Sequence, residues 1–212
     1  MYWITGIINR KVGSEKEELF APLLELKQSL KDEGKRSALT VVEIGVGTGA
    51  NFKYYPSGTN IVAVDPNPNF ESYLKSNISK FSHVKLKEFI IAHGEDLSAI
   101  PDSFCDAVVC TFVLCSVEDI DMVLKEVKRV LKPGGMFFYL DHVAGRHSGH
   151  SRLHYLLSGI QRFFRHDQKG HKHGEPWYNI ECAGFATLEY RRITLSTWIF
   201  PLRNLLAGTA TK

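Results

Sequence analysis

The sequence predicts an α/β fold: a doubly wound, Rossmann-like, seven-stranded and mostly parallel sheet flanked by helices. Three observations carry this. Short apolar runs alternate with amphipathic segments along most of the chain, the order that builds a parallel sheet with right-handed crossovers. The first apolar run, ending VVEIG at Gly45, lacks polar alternation, as suits a central strand buried on both faces. Alternating glycines, Gly45, Gly47 and Gly49, follow it directly, and a second apolar run ends in Asp65. Doubly wound sheets hold ligands beyond the carboxyl ends of their strands, where both features fall.

The elements follow in order. Glu15 to Leu30 has a helical period, with Leu19, Phe20, Leu23, Leu24 and Leu30 on one face and Glu and Lys on the other. Lys31 to Ser37 is a polar connection, so residues 1–37 read as a helical segment ahead of a sheet domain over 38–212. Leu39 to Ile44 is the first strand and Asn60 to Asp65 the second. Asn67 and Pro68 have the character of an N-cap and a first helical residue, opening a helix to about Lys80 with Phe70, Tyr73, Leu74 and Ile78 inward. Val84 to Ile91 and Asp106 to Phe112 are the third and fourth strands. Ser116 and Asp119 resemble a capping box for a helix whose core face is Ile120, Val123, Leu124, Val127 and Leu131. Pro133, Gly134 and Gly135 stop that helix, and Met136 to Leu140 is the fifth strand. Residues 145–176 are polar and rich in histidine, with weak helical periodicity over Leu153 to Phe164; they read as a substrate-side insertion or lid. A short helix over Trp177 to Cys182 and two closing strands, Thr187 to Thr194 and Leu205 to Thr211, complete the chain.

Composition sets bounds. The 212 residues, 44% hydrophobic and 23% charged, suffice for one domain with a sizeable core and are too apolar for a disordered chain. The net charge of +3 comes from dispersed Lys and Arg, which leaves no footprint for nucleic acid. Cys105, Cys110, Cys115 and Cys182 form no C-x-x-C pair, which fits a reduced, cytosol-facing protein better than a disulfide scaffold. No apolar run reaches the roughly 18–20 residues of a membrane span. Met1 to Ile8, with Tyr2 and Trp3 ahead of Arg10 and Lys11, fits a frayed terminus, with peripheral contact at a membrane interface as the alternative.

The glycine spacing narrows the ligand. It is G-x-G-x-G, not the G-x-G-x-x-G that opens a long helix under a pyrophosphate, and Pro56 and Gly58 keep any helix here short. S-adenosyl-L-methionine has no phosphate to stabilise; its amino-acid end needs backbone donors and acceptors, which a glycine turn supplies. Two other readings stay open: a non-catalytic module that binds this cofactor and acts through protein partners, and a dinucleotide-binding oxidoreductase.

Glu43-x-Gly45-x-Gly47-x-Gly49, then Asp65, then LKPGG from Leu131 to Gly135, resembles the class I S-adenosylmethionine-dependent methyltransferases. The segments GTGANFKYYPSG (Gly47 to Gly58), DPNPNF (Asp65 to Phe70), GEDL (Gly94 to Leu97) and VVCTFVLCSV (Val108 to Val117) are similar to the membrane-associated thiol methyltransferases of the methyltransferase-like group, as is EKEELF from Glu15 to Phe20. The resemblance runs from about Glu15 to His142 and returns at AGF and the C-terminal GTATK. Val46 stands where the group has cysteine, the group's N-terminal hydrophobic anchor has no counterpart in this chain, and residues 145–175 do not follow the group. The resemblance implies methyl transfer to a small acceptor, most simply a thiol. It also implies a place in the cytoplasm or on the cytosolic face of the endoplasmic reticulum or of lipid droplets. It implies nothing about oligomeric state.

Roles for single residues follow. Glu43 is expected to orient the glycine turn or the cofactor's ammonium, Gly45, Gly47 and Gly49 to let the backbone approach the ligand, and Asp65 to accept from ribose hydroxyls. Asn67 either touches the cofactor or only caps its helix. Gly94 and Glu95, after the third strand, and Thr111 and Phe112, ending the fourth, are expected to border the cofactor. Methyl transfer from a sulfonium mainly needs positioning and exclusion of water, and a thiol of pKa about 8.5 needs only modest activation. A strong general base is therefore not demanded, and His142, ending the fifth strand, is the best candidate to accept the acceptor's proton. Seven of the nine histidines lie between His142 and His173. His147, His150 and His154 have helical spacing, but no cysteine or carboxylate completes a ligand set, so no metal site is assigned.

Overall fold

The computed structural model describes residues 11–32, 34, 38–143, 176–195 and 204–212. Seven strands form one sheet: β1 (Thr40–Ile44), β2 (Thr59–Val64), β3 (Val84–Ile90), β4 (Cys105–Thr111), β5 (Leu131–His142), β6 (Thr187–Thr194) and β7 (Asn204–Thr211), in the order β3-β2-β1-β4-β5-β7-β6. β1, β2, β3, β4 and β5 pair in parallel; β7 runs antiparallel to both β5 and β6. This is the predicted sheet. The connection order reverses between β1 and β4, so the ligand crevice of a doubly wound sheet falls at their carboxyl ends.

Helices cover both faces. On one, α1 (Gly13–Phe20), α2 (Pro22–Asp32) and α3 (Phe70–Ile78) lay Leu19, Phe20, Leu23 and Leu74 against Val41, Ile61, Phe138 and Leu140. On the other, α4 (Ile120–Val130) and α5 (Pro176–Cys182) lay Val123, Leu124, Val127 and Ile180 against Val42, Val108, Phe137 and Tyr139. Among the described residues no helix is long and apolar enough to cross a membrane.

The boundaries differ from the sequence reading in four places. The single helix expected over Glu15 to Leu30 is two, because Pro22 has no N–H to continue the ladder and is suited to a first helical position. The break re-aims the second half, so Leu23 is buried while Leu24 is 64% exposed. Asn67 does not open α3 directly: its Oδ1 accepts from the N–H of Asn69 at 3.0 Å, an Asx turn, and the helix starts at Phe70, with Tyr73 on its exposed side. Ser116 does not cap α4. Its hydroxyl donates to the Val113 carbonyl, and Asp119 is the N-cap, accepting from the N–H of Met122 at 3.1 Å. Leu131 belongs to β5 rather than to α4. There Cys105 pairs with Leu131 but Ala107 pairs with Met136, so the KPGG segment bulges from the strand. The lid expected over 145–176, including His147, His150 and His154, lies outside the described residues except for Pro176 at the start of α5.

Candidate active site

Gly45, Gly47 and Gly49 all have left-handed backbones, at φ 67, 52 and 77°. The turn is tied to β2 by the N–H groups of Gly45 and Val46, both donating to the Val64 carbonyl, at 2.8 and 3.2 Å. The three glycines serve different ends. A Cβ on Gly45 would lie 2.2 Å from Val113 Cγ2, and one on Gly49 would lie 2.6 Å from the Phe52 ring. A Cβ on Gly47 would meet nothing within 4 Å, so Gly47 alone leaves open space beside the turn. Asp65, 6% exposed at the end of β2, faces it: its Oδ2 accepts from the N–H of Gly47 and its Oδ1 from the N–H of Asn67, both at 3.0 Å.

Behind the turn lies a polar chain. Glu43, next to last in β1, is fully buried. Its Oε1 accepts from Asn51 Nδ2 at 2.8 Å and its Oε2 from the Tyr55 hydroxyl at 2.6 Å. Burial pushes the Glu43 carboxyl up to about 7, against the pull of those two donors and of Lys16. Asn51 Nδ2 also donates to Thr111 Oγ1 at 3.0 Å, and Asn51 Oδ1 accepts from Lys16 Nζ at 2.7 Å. Lys16 is 1% exposed. Desolvation lowers its ammonium to about 8, Glu43 working in the opposite sense and Lys53 adding to the lowering. Glu43 is thus bonded to two residues, Asn51 and Tyr55, of the segment leaving the glycine turn.

Phe112, at φ 59°, is one of two non-glycine residues with a left-handed backbone among those described. Its N–H donates to the Leu140 carbonyl at 2.7 Å, which turns its ring toward His142, 4.9 Å between centroids, and toward Lys16 Nζ at 5.6 Å. Among the described residues His142 Nδ1 is buried with no hydrogen-bond partner, and burial lowers the imidazole to about 4. The ring is neutral at pH 7 and is a weak base. Asp141 beside it points to the opposite face. Its Oδ1 accepts from the His142 N–H at 2.7 Å, and burial raises its carboxyl. Burial raises the Cys110 thiol, with Asp141 adding to it, so it lacks the character of a nucleophile; Cys115 is exposed as a residue, but its thiol is likewise raised, by desolvation of the sulfur and by Asp141 beside it.

Gly94 is buried against Ile44 and Val123, at 3.0 and 3.5 Å from the place of a Cβ. Glu95 accepts from the N–H of Glu118 at 2.7 Å and secures the approach to α4. The fold thus brings Glu43, the three glycines, Asp65, Asn67, Thr111, Phe112 and His142 to one end of the sheet, and sets the side chain of Glu95 on the α4 side. Sequence reasoning missed Lys16, Asn51 and Tyr55. A signal for Lys16 existed: it stands three, four and seven residues before Leu19, Phe20 and Leu23, on the apolar stripe itself.

A tight turn with open space at Gly47, no long helix behind it, and a carboxylate across from it suits an adenosine cofactor that lacks a pyrophosphate. Together with the reversed β7, this defines a class I S-adenosylmethionine-dependent methyltransferase. Residues 42–139 match the methyltransferase domain family. The chain is similar to solved S-adenosylmethionine-dependent methyltransferases from Aquifex aeolicus (TM-score 0.54, 18% identity, 93% of this chain and 97% of that one) and Methanosarcina mazei (TM-score 0.61, 19% identity, 84% and 93%), likenesses of fold. It is 44% identical over 198 residues to the Homo sapiens thiol S-methyltransferase TMT1A, covering 89% of this chain and 75% of that protein. It is 39% identical over 190 residues to TMT1B of Rattus norvegicus, with the same coverage. The chain belongs to this TMT1 family and is a methyltransferase.

Proposed function

We propose that the methyl acceptor is a small thiol. The observation that carries this reading is the identity, over most of the chain, to relatives named as thiol S-methyltransferases. The site chemistry agrees with it. When bound, S-adenosylmethionine supplies a methyl group already activated by its sulfonium. The chain's own residues then have three tasks. The glycine turn and Asp65 hold the amino-acid and ribose ends, with Asn67 and Thr111 beside them; any part of Gly94 and Glu95 in binding comes through their backbone, since the Glu95 side chain is turned to the start of α4. Phe112 and His142 form the wall toward the acceptor and keep water from it. His142, neutral and packed beside Phe112, lines the acceptor side rather than drawing the proton away. Full transfer of a proton from a thiol of pKa about 8.5 to an imidazole near 4 is uphill by roughly 6 kcal/mol. The proton therefore leaves by ionisation of the thiol itself, and a soft acceptor with an accessible anion is what such a site can methylate.

A screen with cofactor labelled in the methyl group, over thiols, phenols, amines and lipids, tests this. Label is expected in thioethers, with turnover rising as pH approaches the pKa of the thiol. Label appearing only on oxygen, nitrogen or lipid acceptors would overturn the thiol reading.

A further inference from the structure

Lysine is rarely buried completely unless it is paired and needed. Lys16 is buried completely, on a helix outside the strand-and-turn core of the cofactor site, and a methionine would fill its volume without the desolvation cost. Its ammonium donates to Asn51 Oδ1 at 2.7 Å. The amide is used on both sides: Oδ1 accepts from Lys16, while Nδ2 donates to both Glu43 and Thr111. An amide can be turned by half a rotation with little change of shape, so what fixes its sense is which neighbours donate and which accept. Lys16 can only donate. Lys16 and Glu43 fix the amide from its two sides: Lys16 donates to Oδ1 while Glu43 accepts from Nδ2, which joins the end of β1, the segment after Gly49 and the end of β4 in one arrangement. Replacing Lys16 by an apolar side chain takes from the Oδ1 the donor described for it, and a buried acceptor left short of a donor is costly to hold in place. The helix carrying Lys16 is held from outside as well: Arg191 of β6 pairs with Glu15 at 2.8 Å and with Glu18.

We propose that Lys16 is a positioning residue of the cofactor site: acting through Asn51, it fixes Glu43 and the glycine turn in the geometry that receives the amino-acid end of S-adenosylmethionine. Helix α1 is then a working part of the site, whichever acceptor takes the methyl group.

The test is a double-mutant cycle read as affinity for S-adenosylhomocysteine. Calorimetry on wild type, K16M, N51L and K16M/N51L is run well below each variant's melting temperature, so that reduced stability alone does not lower affinity. K16M should weaken binding about tenfold, N51L at least as much, and the double variant no more than N51L alone, since the proposed route from Lys16 to the glycine turn runs through the amide. Unchanged affinity in K16M, or losses that multiply in the double variant, would overturn the proposal. If N51L does not fold, K16M and K16R decide: K16R keeps a donor for Asn51 and should stay within about threefold of wild type, and equal losses in the two would overturn it.

Discussion

At the scale of single residues, the glycine turn separates two reasons for having no side chain. Gly49 is excluded from growing by protein: its Cβ would press on the Phe52 ring and Leu74. Gly47 is not, and faces open space with only its left-handed backbone to satisfy. Gly49→Ala should therefore lose stability by about 1–3 kcal/mol through overpacking. Gly47→Ala should lose about 1 kcal/mol from the backbone alone, yet weaken S-adenosylhomocysteine binding by on the order of tenfold, because its methyl enters the ligand's space. Denaturation midpoints and calorimetry on both variants check this; equal stability losses, or wild-type affinity in Gly47→Ala, would contradict the division of roles. The placing of the glycines and the two acids at strand ends was legible in the sequence, because each directly follows or closes an apolar run, and strand ends are where this fold binds. Lys16 was not, because a charged residue in a helix is read as the solvated face. Only the third dimension shows Asn51 and Glu43 beneath it.

At the scale of elements, apolar patterning located every described helix and strand, while local hydrogen bonds decided where each begins. The start of α4 shows why. Ser116 and Asp119 have capping-box spacing, but the chain from Val113 to Val117 is already turned, with the Ser116 N–H and hydroxyl both bonded to the Val113 carbonyl. Ser116 is thus spent on that turn, and the helix waits for Asp119. Asp119→Ala should cost about 1 kcal/mol, as loss of an N-cap does, while Ser116→Ala should stay within about 0.5 kcal/mol of wild type. Urea denaturation of the two variants measures it, and the reverse ranking would return the cap to Ser116. The split between α1 and α2 has a similar origin. A period of 3.6 continues through Ala21 and Pro22 in the sequence, but the proline ring does not allow the backbone to follow it. That split frees α1 to lie along the sheet with Lys16 inward.

At the scale of the whole molecule, the proposed cofactor site draws on β1, β2, β4, β5 and α1, so filling it should stabilise the entire domain. A ligand at 100 times its dissociation constant adds about 2.7 kcal/mol to the folded state. For a chain of this size each kcal/mol moves the melting midpoint by roughly 2–4 °C, so S-adenosylhomocysteine at that level should raise it by roughly 5–10 °C. Asp65 provides the internal control. If its carboxylate accepts from ribose hydroxyls, Asp65→Ala should lose about 1.5–3 kcal/mol of affinity. At the same ligand concentration the stabilisation should then fall to roughly 0.3–1.3 kcal/mol, a shift of a few degrees at most. The Asp65 oxygens already receive the N–H groups of Gly47 and Asn67, so the variant's own midpoint without ligand must be taken as its baseline. NAD and NADP should shift neither protein, since no long helix stands behind the turn to face a pyrophosphate. An undiminished shift in Asp65→Ala would remove the ribose assignment while leaving the glycine turn in place. A shift with NAD would instead show that the turn accepts a ligand for which its geometry supplies no helix terminus.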